Sequence, residues 1–177
     1  MKQKNKILKK NILHFDSICI DESCDTKNVT YLTFELVEKV YGKVIGYVSL
    51  YILDIKKDSF VNIKKYAMEN TEDLLMFINT LDNSYGKKIF LEKIYIKESY
   101  QNKGYGKSFF ETHIPKISSK YKVNEVYIHP APIISGEKNR HEGQLRLVEF
   151  YEKIGFLLLN SNFNNIIMKK DIKSTLQ

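Results

Sequence analysis

The sequence contains no tryptophan and has only three prolines, two cysteines and two arginines among its 177 residues. Because arginine supplies the forked contacts to guanine and phosphate, having only Arg140 and Arg146 disfavours sequence-specific recognition of nucleic acid. Cys19 and Cys24 are too few for a disulfide framework or a paired-cysteine metal site, and they predict reduced thiols. Residues 44–53, the most apolar run, are too short to cross a bilayer, and the amino end lacks a signal-peptide pattern. We therefore expect a cytoplasmic protein that has no metal site and does not associate with a membrane.

The net charge of +7 comes mainly from the amino end of the chain. Residues 1–10 contain five lysines and no acidic residue, so the remaining residues carry a balance of only +2. We predict that residues 1–10 form a basic, disordered tail, and that residues 11–177 form a single domain with one core of ordinary size. Weak attraction of the tail to nucleic acid or anionic lipid is left open, although no nucleic-acid-reading motif accompanies it.

Hydrophobic spacing along the chain alternates between strand and helix patterns. Strands are predicted at residues 12–20, on both sides of a turn at Gly42 within 29–55, at 88–96, at 123–130, and in a hairpin within 157–170. A helical region is predicted at residues 59–82, divided near Thr71, which would cap its second part. A second helix is predicted around Phe110, Ile114 and Ile117, with an interruption at Pro115. A third helix is predicted at residues 144–156, with Gly155 as its C-terminal cap. This order predicts an α/β fold, a mixed sheet with helices on its faces.

A loop containing two glycines, residues 100–108, joins a predicted strand to a predicted helix. Gly104 and Gly106 allow successive backbone N–H groups to converge at a helix N-terminus, an arrangement that binds phosphate groups. A nucleotide-triphosphate P-loop would need a glycine at position 101, where this chain has Gln101. A dinucleotide-binding fingerprint would need a third glycine at position 109, where the chain has Phe109. Neither nucleotide motif therefore fits.

Two motifs together resemble the GCN5-related N-acetyltransferase (GNAT) superfamily. The loop from Gln101 to Gly106 matches the family pattern Q/R-x-x-G-x-G/A, and residues 150–156, FYEKIGF, resemble its second signature. The resemblance covers residues 88–170, about half of the chain. It implies a GNAT-like acyl-CoA N-acyltransferase fold: a mixed, mostly antiparallel sheet in which the parallel strands 88–96 and 123–130 splay apart. It also implies that acetyl-CoA is the co-substrate and that a primary amine attacks the thioester directly.

The resemblance further implies which residues bind acetyl-CoA. The backbone amides of residues 102–107 would hold the pyrophosphate, and the pantetheine arm would pair with the backbone of residues 94–96. Gln144 stands where family members often have an asparagine that contacts pantetheine. The complete set of cofactor-binding candidates is Ile94, Tyr95, Ile96, Gln101, Asn102, Lys103, Gly104, Tyr105, Gly106, Lys107, Ser108 and Gln144.

An attacking amine must be neutral, so a group that removes its proton is needed near the thioester. Strand alternation predicts that Glu92 shares a face with Phe90, Ile94 and Ile96, toward the cofactor groove, which makes Glu92 the first candidate base. The alternative for Glu92 is an ion pair with a surface lysine. His129, at the end of the neighbouring strand, is the second candidate base.

Tyr151, in the second motif, is the candidate acid that returns a proton to the CoA thiolate, although a tyrosine on a helix can also serve only in packing. In this chain the helical region 59–82 follows the third strand, whereas family members commonly have helices between the first two. Together with the loop 131–143, this region is expected to shape the acceptor site. The expected acceptor is a small, polyamine-like molecule or a peptide. A non-catalytic acyl-CoA-binding or regulatory protein is the alternative, and a homodimer is left open.

Overall fold

The computed structural model describes residues 15–81, 84–132, 137–159 and 166–172, so the predicted basic tail lies outside the described residues. The strands are β1 (Phe15–Thr26), β2 (Val29–Glu38), β3 (Val44–Ile55), β4 (Gly86–Ile96), β5 (Glu125–Ile128), β6 (Leu157–Leu158) and β7 (Met168–Asp171). The helices are α1 (Phe60–Asn70), α2 (Glu72–Asn79), α3 (Tyr105–Thr112), α4 (Ile114–Tyr121) and α5 (Glu137–Lys153). No helix in these described ranges is both long and apolar enough to span a membrane.

The strands form one mixed sheet in the order β1-β2-β3-β4-β5-β7-β6. Strands β4 and β5 are parallel, and every other neighbouring pair is antiparallel. The prediction of a mixed, mostly antiparallel sheet is therefore confirmed. The turn at Gly42 and the terminal hairpin of β6 and β7 are also as predicted. Strand β1 is longer than the predicted 12–20 and runs into β2 through the tight turn at residues 27–28.

Alternation along the strands creates a separate hydrophobic cluster on each side of the sheet. On β3, Val48, Leu50 and Ile52 belong to one cluster, which contains buried residues of α3, α4 and α5. Tyr51 and Leu53 belong to the other cluster, which contains buried residues of α1 and α2. Below, the first face is the side covered by α3–α5, and the second face is the side covered by α1–α2. Helices on both faces agree with the prediction.

The helical pair α1–α2 lies between β3 and β4 in the chain, and its division at Asn70 and Thr71 is as predicted. Thr71 occupies the cap position of α2 as predicted, but its hydroxyl makes no capping hydrogen bond. The backbone of Thr71 is extended, its carbonyl accepts a hydrogen bond from the Leu75 N–H, and its own N–H donates to the carbonyl of Ala67 at the end of α1. Glu72 and Asp73 occupy the first turn as expected from the helix dipole.

Pro115 interrupts the helix that follows the glycine loop, as predicted. Helix α3 ends at Thr112, and α4 begins at Ile114 with the proline in its first turn. Because proline has no N–H, it cannot donate the bond to Glu111 that would continue α3. The backbone of His113 joins the two helices, since its N–H ends α3 and its carbonyl starts α4.

Helix α5 begins at Glu137, so the predicted helix 144–156 and the predicted loop 131–143 need correction. The first turns of α5 have few apolar residues, and hydrophobic spacing therefore could not detect them. Helix-favouring charged residues occur there instead, including Glu142, which lies 4.0 Å from Arg146 one turn later. The helix ends at Lys153, and Gly155, with φ +92°, provides the predicted left-handed cap.

Candidate active site

The parallel strands β4 and β5 are joined by only three residue pairs, the last of which is Leu91–Ile128. Beyond this pair, β4 continues to Ile96 in contact with β3, whereas β5 ends. The strand ends before the predicted residue 130 because Pro130 offers no backbone donor and restricts the residue before it. The predicted splaying of this pair is therefore confirmed. It leaves residues 92–96 of β4 without a described ladder partner on the side that faces β5, and this stretch is called the opening below.

A β-bulge lies on β4 at the opening. Leu91 pairs with Leu50 and Lys93 pairs with Ser49, so Glu92 is an extra residue without a partner of its own on β3. A bulge of this kind changes which face the following side chains occupy, and bulges frequently occur beside active sites.

The prediction that Glu92 shares one face of β4 with Phe90, Ile94 and Ile96 is wrong because of the bulge. Phe90 is part of the second-face cluster, and Glu92 contacts tyrosines on that face. Ile94 and Ile96 pack instead against the first-face cluster. Simple alternation fails here because the additional residue at Glu92 shifts the strand by one position.

The Glu92 carboxylate is bound by two tyrosine hydroxyls on the second face. Tyr31 donates a hydrogen bond of 2.9 Å to Oε2, and Tyr51 donates one of 3.3 Å to Oε1. Burial and the negative charge of Glu92 raise the pKa of the Tyr51 phenol, and burial raises the pKa of the Tyr31 phenol as well. Both phenols thus remain protonated donors at neutral pH, and they hold the two carboxylate oxygens in fixed directions. The partners of Glu92 are tyrosines rather than the surface lysine considered as an alternative.

The second face next to Glu92 is polar and aromatic. Tyr47 lies between Glu35 on β2 and Tyr95 on β4 in the strand register. Tyr47 is 40% exposed and Tyr95 is 39% exposed, whereas the same face of β3 is buried under α1 and α2 farther along the strand. Lys93 contributes one positive charge beside the two carboxylates. Two carboxylates with exposed tyrosine rings suit a ligand that carries a positive charge.

His129 also lies at the opening. It directly follows Ile128, just as Glu92 directly follows Leu91, so the two residues come immediately after the last pair of the parallel ladder. The imidazole Nδ1 of His129 lies 2.9 Å from Oδ1 of Asp73 in the first turn of α2. This contact places the His129 side chain on the second face, the same face as Glu92.

The glycine loop brings a helix N-terminus to the carboxyl end of β4. Gly104 has φ +87° and directly precedes α3, whose first internal bond runs from the Ser108 N–H to the Gly104 carbonyl. The backbone N–H groups of Tyr105, Gly106 and Lys107 therefore precede the internal bonds of the helix, as an anion-binding helix start requires.

Two further contacts fix the loop to its surroundings. The Gln101 side-chain amide donates a 2.8 Å hydrogen bond to the carbonyl of Ile96, which joins the loop to the end of β4. A Cβ added to Gly106 would lie 3.5 Å from Cζ of Phe150, so α3 approaches α5 closely. The exposed side chains of Lys103 and Lys107 contact the Tyr100 ring and the Glu111 carboxylate, respectively.

Tyr151 on α5 is buried in the first face, with only 3% of its surface exposed. Its ring packs against Phe110, Phe150 and Phe156. Among the described residues, no hydrogen-bond partner is found for its hydroxyl, and burial raises the pKa of this phenol. Gln144, half-buried, lies two turns earlier on the same helix. Glu92 and Tyr151 are thus on opposite faces of the sheet.

Sequence reasoning did not identify three residues that contact the candidate bases. Tyr31 and Tyr51 occur in strands whose other residues are largely apolar, and only the strand register brings their hydroxyls to Glu92. Asp73 lies in the first turn of α2, where the helix dipole alone is a sufficient reason for an acidic residue. Its contact with His129 depends on how α2 packs on the sheet, which the local sequence does not encode.

Comparison with known proteins gives structural neighbours only. No protein-family model and no curated protein sequence matches the chain. Among solved structures, AtaTR bound with acetyl-CoA has a TM-score of 0.48 at 14% identity and covers 81% of this chain and 69% of its own. NAA60 of Arabidopsis thaliana in complex with a bisubstrate analogue has a TM-score of 0.46 at 16% identity and covers 82% and 77%. A GNAT-family protein from Desulfovibrio desulfuricans has a TM-score of 0.47 at 14% identity and covers 80% and 69%. Proteins of the GNAT family are thus among the structures that this chain resembles, but at such scores neither activity nor substrate is carried over.

Proposed function

We propose that this chain is a GNAT-type N-acetyltransferase that transfers the acetyl group of acetyl-CoA to a primary amine by direct attack. The observation that carries the proposal is the opening between β4 and β5, which begins after Leu91 and Ile128 and ends beside the glycine loop. It combines an accessible strand edge with a helix N-terminus at one end, which suits a long ligand that terminates in phosphates.

In this proposal the pyrophosphate binds the amides of residues 102–107, and the pantetheine arm lies along residues 94–96. Gln101 supports that position because its bond to Ile96 fixes the loop against the strand end. In this proposal Ser108, on the first turn of α3, and Gln144, on α5, also contact the bound cofactor. The thioester then lies near Glu92, where the two parallel strands separate.

Glu92 is the proposed base, and Tyr151 is the proposed acid. Glu92 is half-buried on the second face, and its two tyrosine donors hold the carboxylate in place for a proton from the amine. On the first face, the buried Tyr151 hydroxyl has no described partner, an unusual state for a buried donor and one that a thiolate would satisfy. Burial raises the pKa of this phenol, so it is protonated when the CoA sulfur develops negative charge.

The proposed acceptor is a cationic primary amine, either polyamine-like or part of a peptide. Glu35 and Glu92 supply two negative charges on the second face, Lys93 offsets one of them, and the exposed rings of Tyr47 and Tyr95 can contact a cation. A net negative, aromatic surface attracts an ammonium group and excludes an acidic acceptor.

The test is acetyl-CoA titration together with CoA-thiol release over a panel of polyamines and peptides. Glu92→Gln and Tyr151→Phe should each keep acetyl-CoA affinity while kcat falls by about 10²–10⁴. Glu98→Gln, at an exposed residue, is the matched control for Glu92→Gln. Tyr121→Phe, whose hydroxyl binds Glu22 outside the opening, is the matched control for Tyr151→Phe. Both controls should behave like wild type. Affinity for acetyl-CoA without release of CoA thiol in the presence of any tested amine would support the non-catalytic alternative. Full activity in Glu92→Gln would exclude this residue as the base.

A further inference from the structure

His129 and Asp73 form a hydrogen-bonded pair at the mouth of the opening. The side chain of His129 is 10% exposed and that of Asp73 is 35% exposed, so the imidazole is largely enclosed while the carboxylate touches solvent. A carboxylate beside Nδ1 favours the tautomer that carries its proton on Nδ1. The other ring nitrogen, Nε2, then presents a lone pair and can accept a proton.

The packing of α2 places Asp73 at the level of both candidate bases. Phe77, one turn after Asp73, stacks on Phe90 of β4 at 4.9 Å between ring centroids and contacts Tyr127 of β5 at 4.7 Å. Four helical residues span about 6 Å, and two strand residues span about 6.6 Å. Because Asp73 contacts His129 and Phe77 contacts Tyr127, the step from Phe77 back to Asp73 runs alongside the step from Tyr127 to His129, and Glu92 lies two residues after Phe90 on the adjacent strand.

The backbone also fixes His129 at this position. Because the next residue is Pro130, His129 is restricted to extended conformations. Its carbonyl accepts a 2.9 Å hydrogen bond from the Ala131 N–H, so the chain turns immediately after it. The histidine thus has a fixed backbone, and Asp73 fixes its ring.

The proposed reaction removes two protons from the acceptor nitrogen, which explains a need for two proton acceptors. One proton must leave the ammonium before attack, and a second must leave when the C–N bond has formed and the amide is generated. The C–S bond breaks at the same stage, its electron pair departs on sulfur, and the sulfur receives one proton. Overall, an ammonium and acetyl-CoA give an amide, CoA thiol and one proton released to water.

We propose that His129 is the second proton acceptor of the transfer, on the same face as Glu92, and that Asp73 is a positioning residue that keeps Nε2 of His129 ready for the proton. This inference rests on the proposed acetyltransferase function and extends it. Glu92 takes the proton lost before attack, and His129 takes the proton lost as the amide forms. Tyr151, on the opposite face, gives its proton to the departing sulfur. When Glu92 and His129 release their two protons to water, Tyr151 regains one from water, so one proton is released overall.

The matched test uses Asp73→Asn, with Glu72→Gln as the control. Both changes remove one acidic charge from the first turn of α2, but only Asp73 contacts the histidine. An asparagine can donate to Nδ1 and so favour the wrong tautomer, in which Nε2 carries the proton and cannot accept another. We expect kcat to fall by about 10²-fold or more in Asp73→Asn, within the range for general-base loss, with acetyl-CoA affinity and KM unchanged and with Glu72→Gln active.

A second variant tests whether Asp73 acts through the histidine. His129→Gln should lose at least as much kcat, and the double variant Asp73→Asn/His129→Gln should be no slower than His129→Gln alone. A double variant that is slower by the product of both effects would show that Asp73 acts by another route and would overturn its positioning role.

Nitrogen NMR of the histidine rings gives a readout that does not require activity. In wild type we expect the His129 signal of an Nδ1-protonated neutral ring, and in Asp73→Asn we expect that of an Nε2-protonated ring. Unchanged tautomer and unchanged kcat in Asp73→Asn, with an active wild type, would overturn this inference and leave the acetyltransferase proposal standing. A wild type that binds acetyl-CoA but acetylates no amine would overturn both.

Discussion

Replacement of Glu125 by glutamine should destabilise the fold far more than an ordinary change of a partly exposed residue. Lys88 is 1% exposed, and its ammonium pairs with Oε2 of Glu125. Oε1 of Glu125 lies 2.6 Å from Nζ of Lys169, and the Tyr127 hydroxyl donates a 3.1 Å hydrogen bond to Oε2. Glutamine retains the shape of the side chain but leaves the Lys88 charge buried without a counter-ion.

The magnitude follows from the pKa of Glu125 and from the burial of Lys88. Burial opposes ionisation, but hydrogen bonds from Lys169 and Lys88 outweigh it and lower the pKa of the Glu125 carboxyl from 4.5 to about 2. A shift of this size corresponds to about 3 kcal/mol before solvent screening, which applies because a quarter of the side chain is exposed. Loss of one partner from a buried ion pair typically costs about 3–5 kcal/mol. We expect Glu125→Gln to lower the free energy of unfolding by about 3 kcal/mol.

Urea denaturation of Glu125→Gln, Lys88→Met and the double variant tests this reasoning. If the cost comes from the unpaired ammonium, the double variant should be more stable than Glu125→Gln alone, because methionine fills a similar volume without a charge. The slope of unfolding free energy against urea should not change. A loss below about 1 kcal/mol in Glu125→Gln, or additive losses in the double variant, would refute the argument.

Three further predictions concern the loop, the sheet and pH. Gly104→Ala should reduce acetyl-CoA affinity in calorimetry and lower the free energy of unfolding by about 1–2 kcal/mol, because residue 104 has a φ of +87°. Gly106→Ala, whose added Cβ would meet only Phe150 at 3.5 Å, and the exposed Lys107→Ala should bind acetyl-CoA nearly as wild type does. Equal affinity in all three variants would exclude this loop as the binding site. Gly46→Ala should cost about 1–3 kcal/mol in urea, because its Cβ would lie 2.2 Å from the carbonyl oxygen of Tyr95, and an unchanged midpoint would contradict this close approach. The stabilisation from Glu125 should be complete above pH 4.5 and be lost as pH falls toward about 2, because the carboxyl then binds a proton. The free energy of unfolding should therefore fall more steeply between pH 4.5 and about 2 in wild type than in Glu125→Gln, and equal slopes would contradict this role of Glu125.

Much of the fold could be predicted because its signals are local. The left-handed cap at Gly155, the break at Pro115 and the turn at Gly42 each depend on the conformational limits of one residue. The order of strands and helices follows from hydrophobic spacing over short windows. The start of α5 was missed because its first turns are stabilised by charged helix formers and lack an apolar stripe.

The candidate site was only partly predictable, because its arrangement depends on long-range register. The two motifs indicated the glycine loop and Tyr151, and the predicted strands indicated Glu92 and His129, but alternation gave Glu92 the wrong neighbours. The bulge at Glu92 exists only in the pairing of β4 with β3, and a shift of one residue changes the face of every side chain beyond it. The contact of His129 with Asp73 likewise requires α2 to be packed on the second face.

The two ends of the parallel pair have different physical roles, and the difference explains where the opening begins. At the closed end, Lys88 and Glu125 immediately precede the first rung of the ladder and join the strands by an ion pair in which only the lysine is fully buried. At the other end, Glu92 and His129 immediately follow the last rung of the ladder, and among the described residues no hydrogen bond joins the two. Glu92 is held by Tyr31 and Tyr51, and His129 is held by Asp73. The strands can therefore separate at this rung without breaking the contacts that orient the two candidate bases. A thioester placed in the gap would meet groups that are already fixed, which is the condition under which proton transfer by side chains is efficient.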